Sequence, residues 1–315
     1  MQRILLIAFS SWVIAFTPAI AQASEQSKAA IMNIADDYLA ALKSKNPLAA
    51  FFLNFKADRH DGIIDNSQAA ISDWKIKEDS YLARLLVIDY NSLKGTPEAI
   101  LYAQLQEQLE ASVGLRVCKK ELWDIDFMGG GNGYDKIIKL AQFQPVGTKT
   151  LRKDALLRWE NIGAYFIQDI ANLKQGLNEG CSAPKAVVNR VITQIDNLLK
   201  TPVDKSPLYN PITRDDDAEF KSAYIKVLQE HFFPALRKYH QYLSDEYLLQ
   251  AREELAIVTI PNGANCYEAM FRDYTSLKWP AQKVHDIGAA AVRKIKKKSL
   301  NLALKFMALM IWEIS

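Results

Sequence analysis

The chain has 315 residues, 49% of them hydrophobic and 24% charged, which is the balance of an ordinary globular protein with enough length to bury a substantial core. Its formal charge of +3 is too small to call for a nucleic-acid partner. Much of the excess sits late, in Arg293, Lys294, Lys296, Lys297 and Lys298, and no basic face with interleaved aromatics accompanies it.

Residues 1–23 read as a signal peptide. Arg3 supplies the positive start, Ile4 to Phe16 an apolar stretch, and Pro18 breaks it before two small-residue cleavage sites, Ala19-Ile20-Ala21 and Ala21-Gln22-Ala23. The apolar stretch is shorter than the roughly 20 residues a bilayer span requires, and no cysteine follows it for lipid attachment. Export to a bacterial periplasm, or secretion, is therefore expected, with no stable membrane span after cleavage.

Helical periodicity dominates the rest of the chain. Ile31, Ile34, Ala35, Tyr38, Leu39 and Leu42 make one apolar stripe, with Pro47 just beyond it. Tyr81, Leu82, Leu85 and Leu86 repeat the pattern. Thr96-Pro97-Glu98 reads as an N-cap, a first-turn proline and an early acid, after which Leu101, Leu105, Leu109 and Val113 share a face. The longest stripe is Trp159, Ile162, Phe166, Ile170, Leu173 and Leu177, which Gly180 is placed to end. Ser182 and Pro184 restart the chain into Val187, Val188, Val191, Ile192, Ile195, Leu198 and Leu199, and Pro202 stops it. A connection from Pro202 to Pro211 precedes a helix beginning near Asp215-Asp216-Asp217 and carrying Phe220, Tyr224, Val227 and Leu228. Leu255 to Ile260 is β-branched enough to be extended, with turn chemistry in Pro261-Asn262-Gly263. The fold class is all-α, a multi-helix scaffold with at most one short extended segment. No repeat or low-complexity linker divides it.

Recognisable catalytic patterns are missing. None of His60, His231, His240 and His285 belongs to an H-E-x-x-H pair of metal ligands. His231 and His240 lie nine residues apart, on opposite faces of a helix that Pro234 is expected to interrupt. Gly129-Gly130-Gly131-Asn132-Gly133 lacks the Lys-Ser/Thr of a phosphate-binding loop. Before it, Trp123 to Phe127 alternates and puts Asp124 and Asp126 on one side, where solvated loop carboxylates are commoner than a cation site. No G-x-S-x-G elbow occurs. Cys118, Cys181 and Cys266 are too far apart for a zinc knuckle, which leaves either one disulfide of unselected pairing or three buried thiols.

A series of stretches, in order, nevertheless carries a resemblance. They are Gln142 to Thr148, Ala155 to Trp159, Leu173 to Leu177, Ala183 to Val188, Ile192 to Ile195, Phe233 to Leu236, Asp245 to Arg252 and Pro261 to Tyr267, leading to Arg272, Thr275, His285 and Gly288. Together they resemble the bacterial family known as domain of unknown function 885 across roughly Asp37 to Ile295. Full-length members look like exported helical zinc peptidases. The resemblance implies a site built later on an H-E-x-x-P-G-H motif, with two imidazoles, a carboxylate and an activated water on zinc. That motif does not occur in these residues. No catalytic or metal residue carries over, no cofactor is expected in this chain, and it is expected to be inactive alone. A scaffold (24–298) does carry over, with part of a cleft wall, Tyr267, Arg272 and His285, open to peptides.

The end departs from the family pattern. Leu300 to Trp312 is strongly apolar where a polar helix and a turn are expected, and residues 299–315 form an aberrant tail. A shifted frame entered at the last base of Leu300 can spell such polar, turn-bearing text, and the lysine run is a plausible slippage site. The rival reading is a basic amphipathic tail that associates with a membrane. Resequencing the locus separates the two. A frame shift near Lys298 with the metal motif downstream is expected, and an intact frame without that motif would remove the idea.

Overall fold

The structure, a computed structural model, describes residues 16–48, 56–128 and 134–314. The start of the expected signal peptide and the Gly129–Gly133 run lie outside the described residues. Ten helices of ten residues or more are described, and among the described residues there is no strand, only an isolated bridge between Pro184 and Arg252.

Three of them form an N-terminal bundle: α1 (Phe16–Lys45), α2 (Gln68–Leu86) and α3 (Pro97–Leu115). The expected stripes close its core. Ile31 and Ile34 of α1 meet Leu85 of α2 and Tyr102, Leu105 and Leu109 of α3, with Leu93 between them. Leu86, expected on the same stripe as Leu85, is exposed. Pro97 opens α3 as anticipated, but the Thr96 hydroxyl donates to Leu93 O (2.8 Å) instead of capping the helix.

The larger body is organised around α5 (Lys149–Asn178), preceded by α4 (Tyr134–Phe143) and followed by α6 (Lys185–Lys200). Thr148 caps α5 through its hydroxyl, which accepts from Leu151 N at 3.3 Å. Trp159, Ile162, Phe166 and Leu173 are fully or nearly fully buried along one face, as their spacing predicts. Their partners come from a rod built of α7 (Ala218–Val227), a π turn over Leu228–Phe232, α8 (Phe233–Tyr242) and a second π turn over Leu243–Tyr247. Trp159 meets Phe232 edge to face at 5.3 Å, and Phe166 meets Tyr239 at 5.2 Å.

The structure corrects two further expectations. Pro234 does not interrupt the helix between His231 and His240. It occupies the first turn of α8, directly after the π turn, whose wider bonding loop absorbs the amide that proline lacks. Leu255 to Ile260 forms no strand either, although Ala256 and Ile260 are individually extended. Ile257–Thr259 is a single 3-10 turn, because Gly263 N and Ile260 N bond back within the segment and no neighbouring strand offers a ladder.

Polar groups position the remaining chain. Arg158 is fully buried and donates to Gly62 O and Gln144 Oε1, which fastens the segment before α2 onto α5. Burial pushes its guanidinium down to about 10. Arg152 grips Asp215 with two bonds of 2.8 Å, and Asp217 caps α7 through Phe220 N. Gly176 lets α5 pass the turn at Leu122, since a Cβ there would lie 1.9 Å from Leu122 O.

Asp169 of α5 has another role. It is enclosed in this body, and desolvation pushes its carboxyl up to about 7 despite hydrogen bonds from Tyr239 and Asn66. A carboxyl with a folded pKa above its unfolded one binds an extra proton in the native state, so stability falls as pH rises from about 4 to about 7. The full effect is on the order of 4 kcal/mol. Asp169→Asn, which imitates the protonated form, is expected to be more stable than the parent at pH 8 and equal to it below pH 4, measured by denaturant unfolding across pH.

Candidate functional site

Beyond the rod the chain turns through Pro261 and Asn262 into α9 (Gly263–Thr275), then into α10 (Ala281–Ile314). Asn262 takes a left-handed conformation (φ 57°), and Gly263 packs so closely that a Cβ would meet Ile257 O at 2.0 Å. The turn chemistry read from Pro261-Asn262-Gly263 is therefore a close-packed helix entry. It seats α9 against α3.

Two contacts lock that seat. Cys118, at the end of α3, is disulfide-bonded to Cys266, and Cys181 is a buried free thiol in the same apolar cluster. Further along α9, Arg272 donates to both oxygens of Glu107 (2.7 and 2.8 Å) and to Glu110 (2.6 Å). Lys278 adds a 2.9 Å bond to Glu110. These cations hold both carboxyls below the usual range, with Glu110 at about 2, while the carboxylates push Arg272 up.

Between α3 and α9 lies an open groove of about 680 Å³. One wall is apolar, with Ala99, Ile100, Ala103 and Ala111, and the other carries Arg272, Asp273 and Ser276. Glu107 lines it, but as an ion-paired carboxylate with a depressed pKa it is a poor general base near neutral pH. The groove offers shape and fixed charge.

The structure does not bring the three sequence-predicted wall residues together in this groove. Arg272 lines it, in an ion-pair latch. Tyr267 is 49% exposed on α9 outside the lining, and His285 is exposed on α10. Sequence reading does not find Glu107 and Glu110, because they lie 165 and 162 residues from Arg272 and nothing local marks the pairing. Asp124 and Asp126 flank buried Ile125 as the alternation predicts, in a loop where Lys120 lies 3.6 Å from Asp124 and Met128 N donates to Asp126. His240 Nε2 sits 3.0 Å from Asp196, linking α8 to α6. Among the described residues no group of three or more His, Cys, Asp or Glu side chains is arranged to hold a metal ion. No described helix is long and apolar enough to cross a membrane.

Known proteins give this geometry a frame. The model of a family described as "Bacterial protein of unknown function (DUF885)" matches residues 47–308. No curated protein matches. Among solved structures, the crystal structure of a protein described as "the putative lipoprotein from Colwellia psychrerythraea" is similar in fold, with a TM-score of 0.58 and 18% identity. The similarity covers 87% of this chain and 49% of that one, so the chain spans about half the length of this solved protein.

The latch between α3 and α9 gives a direct expectation. Arg272→Ala should lower unfolding stability by about 1–3 kcal/mol, because it leaves Glu107 and Glu110 side by side with Lys278 as their remaining cation. Arg272→Lys should recover less than half, since a lysine cannot bridge both carboxylates in plane. Thermal melts of the three proteins at neutral pH check this, and equal melting temperatures would show that the latch contributes nothing.

Proposed function

The chain belongs to the bacterial family of unknown function DUF885, and on that premise we propose that it is an exported, N-terminal helical scaffold of a zinc-peptidase-like protein, without hydrolytic activity of its own. The observation that carries the reading is the pairing of a family match over residues 47–308 with a sequence in which no histidine is followed by glutamate. The residues present do not fit the zinc group expected of full-length relatives. The two imidazoles and carboxylate such a site needs have no counterpart here, and Glu107 and Glu110 beside the groove are bound to cations.

Export is supported by the apolar N-terminus with its small-residue cleavage sites and by the description of the Colwellia psychrerythraea protein as a lipoprotein. A second reading, a non-enzymatic module that binds peptides, is favoured by one feature, the open α3–α9 groove with its apolar wall and fixed charges.

One preparation tests the proposal. The protein recovered from a periplasmic extract should begin after Ala21 or Ala23, contain no stoichiometric zinc and cleave no peptide in a mixed-sequence library. One zinc per chain together with chelator-sensitive hydrolysis would overturn the inactive-scaffold reading. Saturable peptide binding without hydrolysis, lost on closing the groove with Ala103→Trp, would establish the second reading.

A further inference from the structure

A second cleft lies on the opposite flank of α3, where the N-terminal bundle meets the larger body. It measures about 240 Å³, below the roughly 300–1,000 Å³ of sites for drug-sized molecules. A chamber of about 210 Å³ adjoins it, and the two share Lys45, Asp65, Ile71 and Trp74. Its lining comes from the ends of α1 and α3, from α2, from the Lys120–Leu122 turn and from Asn172 of α5.

The charges in this cleft are unequally satisfied. Its three acids are all engaged. Asp65 accepts from Ser67 N (2.9 Å), Glu121 from Lys75 (2.9 Å), and Glu78, 3% exposed, from Ser112 (2.6 Å) and Arg116 (3.2 Å). Four cations line the same space: Lys45, Lys75, Arg116 and Lys120. Lys75 and Arg116 are bound to those acids, Arg116 also donates to both oxygens of Asp79 (2.8 and 3.0 Å), and Lys120 lies 3.6 Å from Asp124. Lys45 is different. Its ammonium sits 4.2 Å over the Trp74 ring, and no described carboxylate is within ion-pair reach of it. Among the cations lining the cleft, Lys45 is thus the one with no ion pair among the described residues, beside an apolar wall of Ile71, Trp74 and Leu115.

We propose that this cleft binds a small monocarboxylate with a compact apolar body, the chemistry of an N-acylated amino acid or of a peptide's C-terminal residue. Lys45 contributes the ion pair, since Arg116 and Lys120 are already paired with Glu78, Asp79 and Asp124. Ile71, Trp74 and Leu115 cover the apolar body, which is why a bare anion is a poorer ligand. Desolvation lowers the pKa of Lys45, an effect that the charges of Glu78 and Glu121 oppose and that a carboxylate bound at the ammonium would oppose further. A ligand seated here would touch both the N-terminal bundle and α5, so it would also stiffen their junction.

The proposal does not depend on the zinc-peptidase reading, because its test is binding to the intact chain and not hydrolysis. Equilibrium dialysis with labelled N-acetyl-leucine is expected to show saturable binding at one site, accompanied by a rise in melting temperature. N-acetyl-leucine amide, which has the same body without the charge, should not bind. Lys45→Gln should weaken binding about tenfold or more, equivalent to at least about 1.4 kcal/mol. Lys45→Arg should retain most of it, and its retention guards against a trivial folding defect in the glutamine variant. Equal binding of acid and amide, undiminished binding by a folded Lys45→Gln protein, full displacement by equimolar inorganic phosphate, or no saturable binding would each overturn the proposal.

Discussion

The fold depends on how α9 is held to α3. The Cys118–Cys266 disulfide closes a loop of 148 residues that contains almost the whole larger body. In the chain-entropy account such a closure removes about 5 kcal/mol of unfolded-state freedom. Arg272 repeats the tie in electrostatic form through Glu107 and Glu110. Glu268 of α9 then accepts from Ala281 N at the start of α10. The left-handed Asn262 and the missing Cβ of Gly263 let α9 descend onto the turn at Ile257, which places Cys266 against Cys118 and Arg272 further along the same helix. A side chain at position 263 would have to displace backbone, so the glycine is needed for the covalent bond as well as for the turn.

A different balance governs the body. Its centre holds ionisable groups that an apolar core would exclude, Arg158 and Asp169 on a single helix. Each survives burial in a different way. Arg158 keeps its charge by donating to Gly62 O and Gln144 Oε1, so it draws a loop and the end of α4 toward α5. Asp169 is held closer to its neutral form, with Tyr239 and Asn66 as partners. Removing Arg158 would strand buried oxygen acceptors, whereas neutralising Asp169 strands little. Buried charge therefore organises the segment from His60 to Asn66, which has no regular secondary structure of its own until α2 begins.

Much of this was legible in the sequence, and the limits have physical causes. Stripes such as Trp159/Ile162/Phe166/Leu173 and Val188/Val191/Ile195/Leu198 name buried faces directly, because periodicity reports which side of a helix meets apolar surroundings. Thr148 and Asp217 cap the helices they precede, through bonds made within three residues. The failures are of two kinds. Pro234 and the Ile257–Thr259 turn show local preference overruled, one by a π turn and the other by the want of a neighbouring strand. The disulfide, the Arg272 latch and the Lys45 cleft are long-range pairings, about which a single sequence says little. Cys181 is no worse a candidate for a disulfide than Cys118 until α9 is seated.

Within the matched residues 47–308, several side chains and glycines fix the backbone framework. Gln144 is fully buried, accepts from Arg158 and donates to His60 O. Gly147 turns with φ 99° and gives its N–H to Asp215 just before Thr148 caps α5. Arg252 donates to Ser182 O and Ala256 O, joining the end of the rod to the start of α6. Gly263 and Cys266 seat α9. Every one of these residues fixes backbone, and none presents a reactive atom to a cavity. A set of such residues specifies a scaffold to within hydrogen-bond tolerance while saying nothing about chemistry performed on it. Two clefts flank α3 in this framework, the open α3–α9 groove with its ion-paired Glu107 and Arg272 and the smaller cleft lined by Lys45.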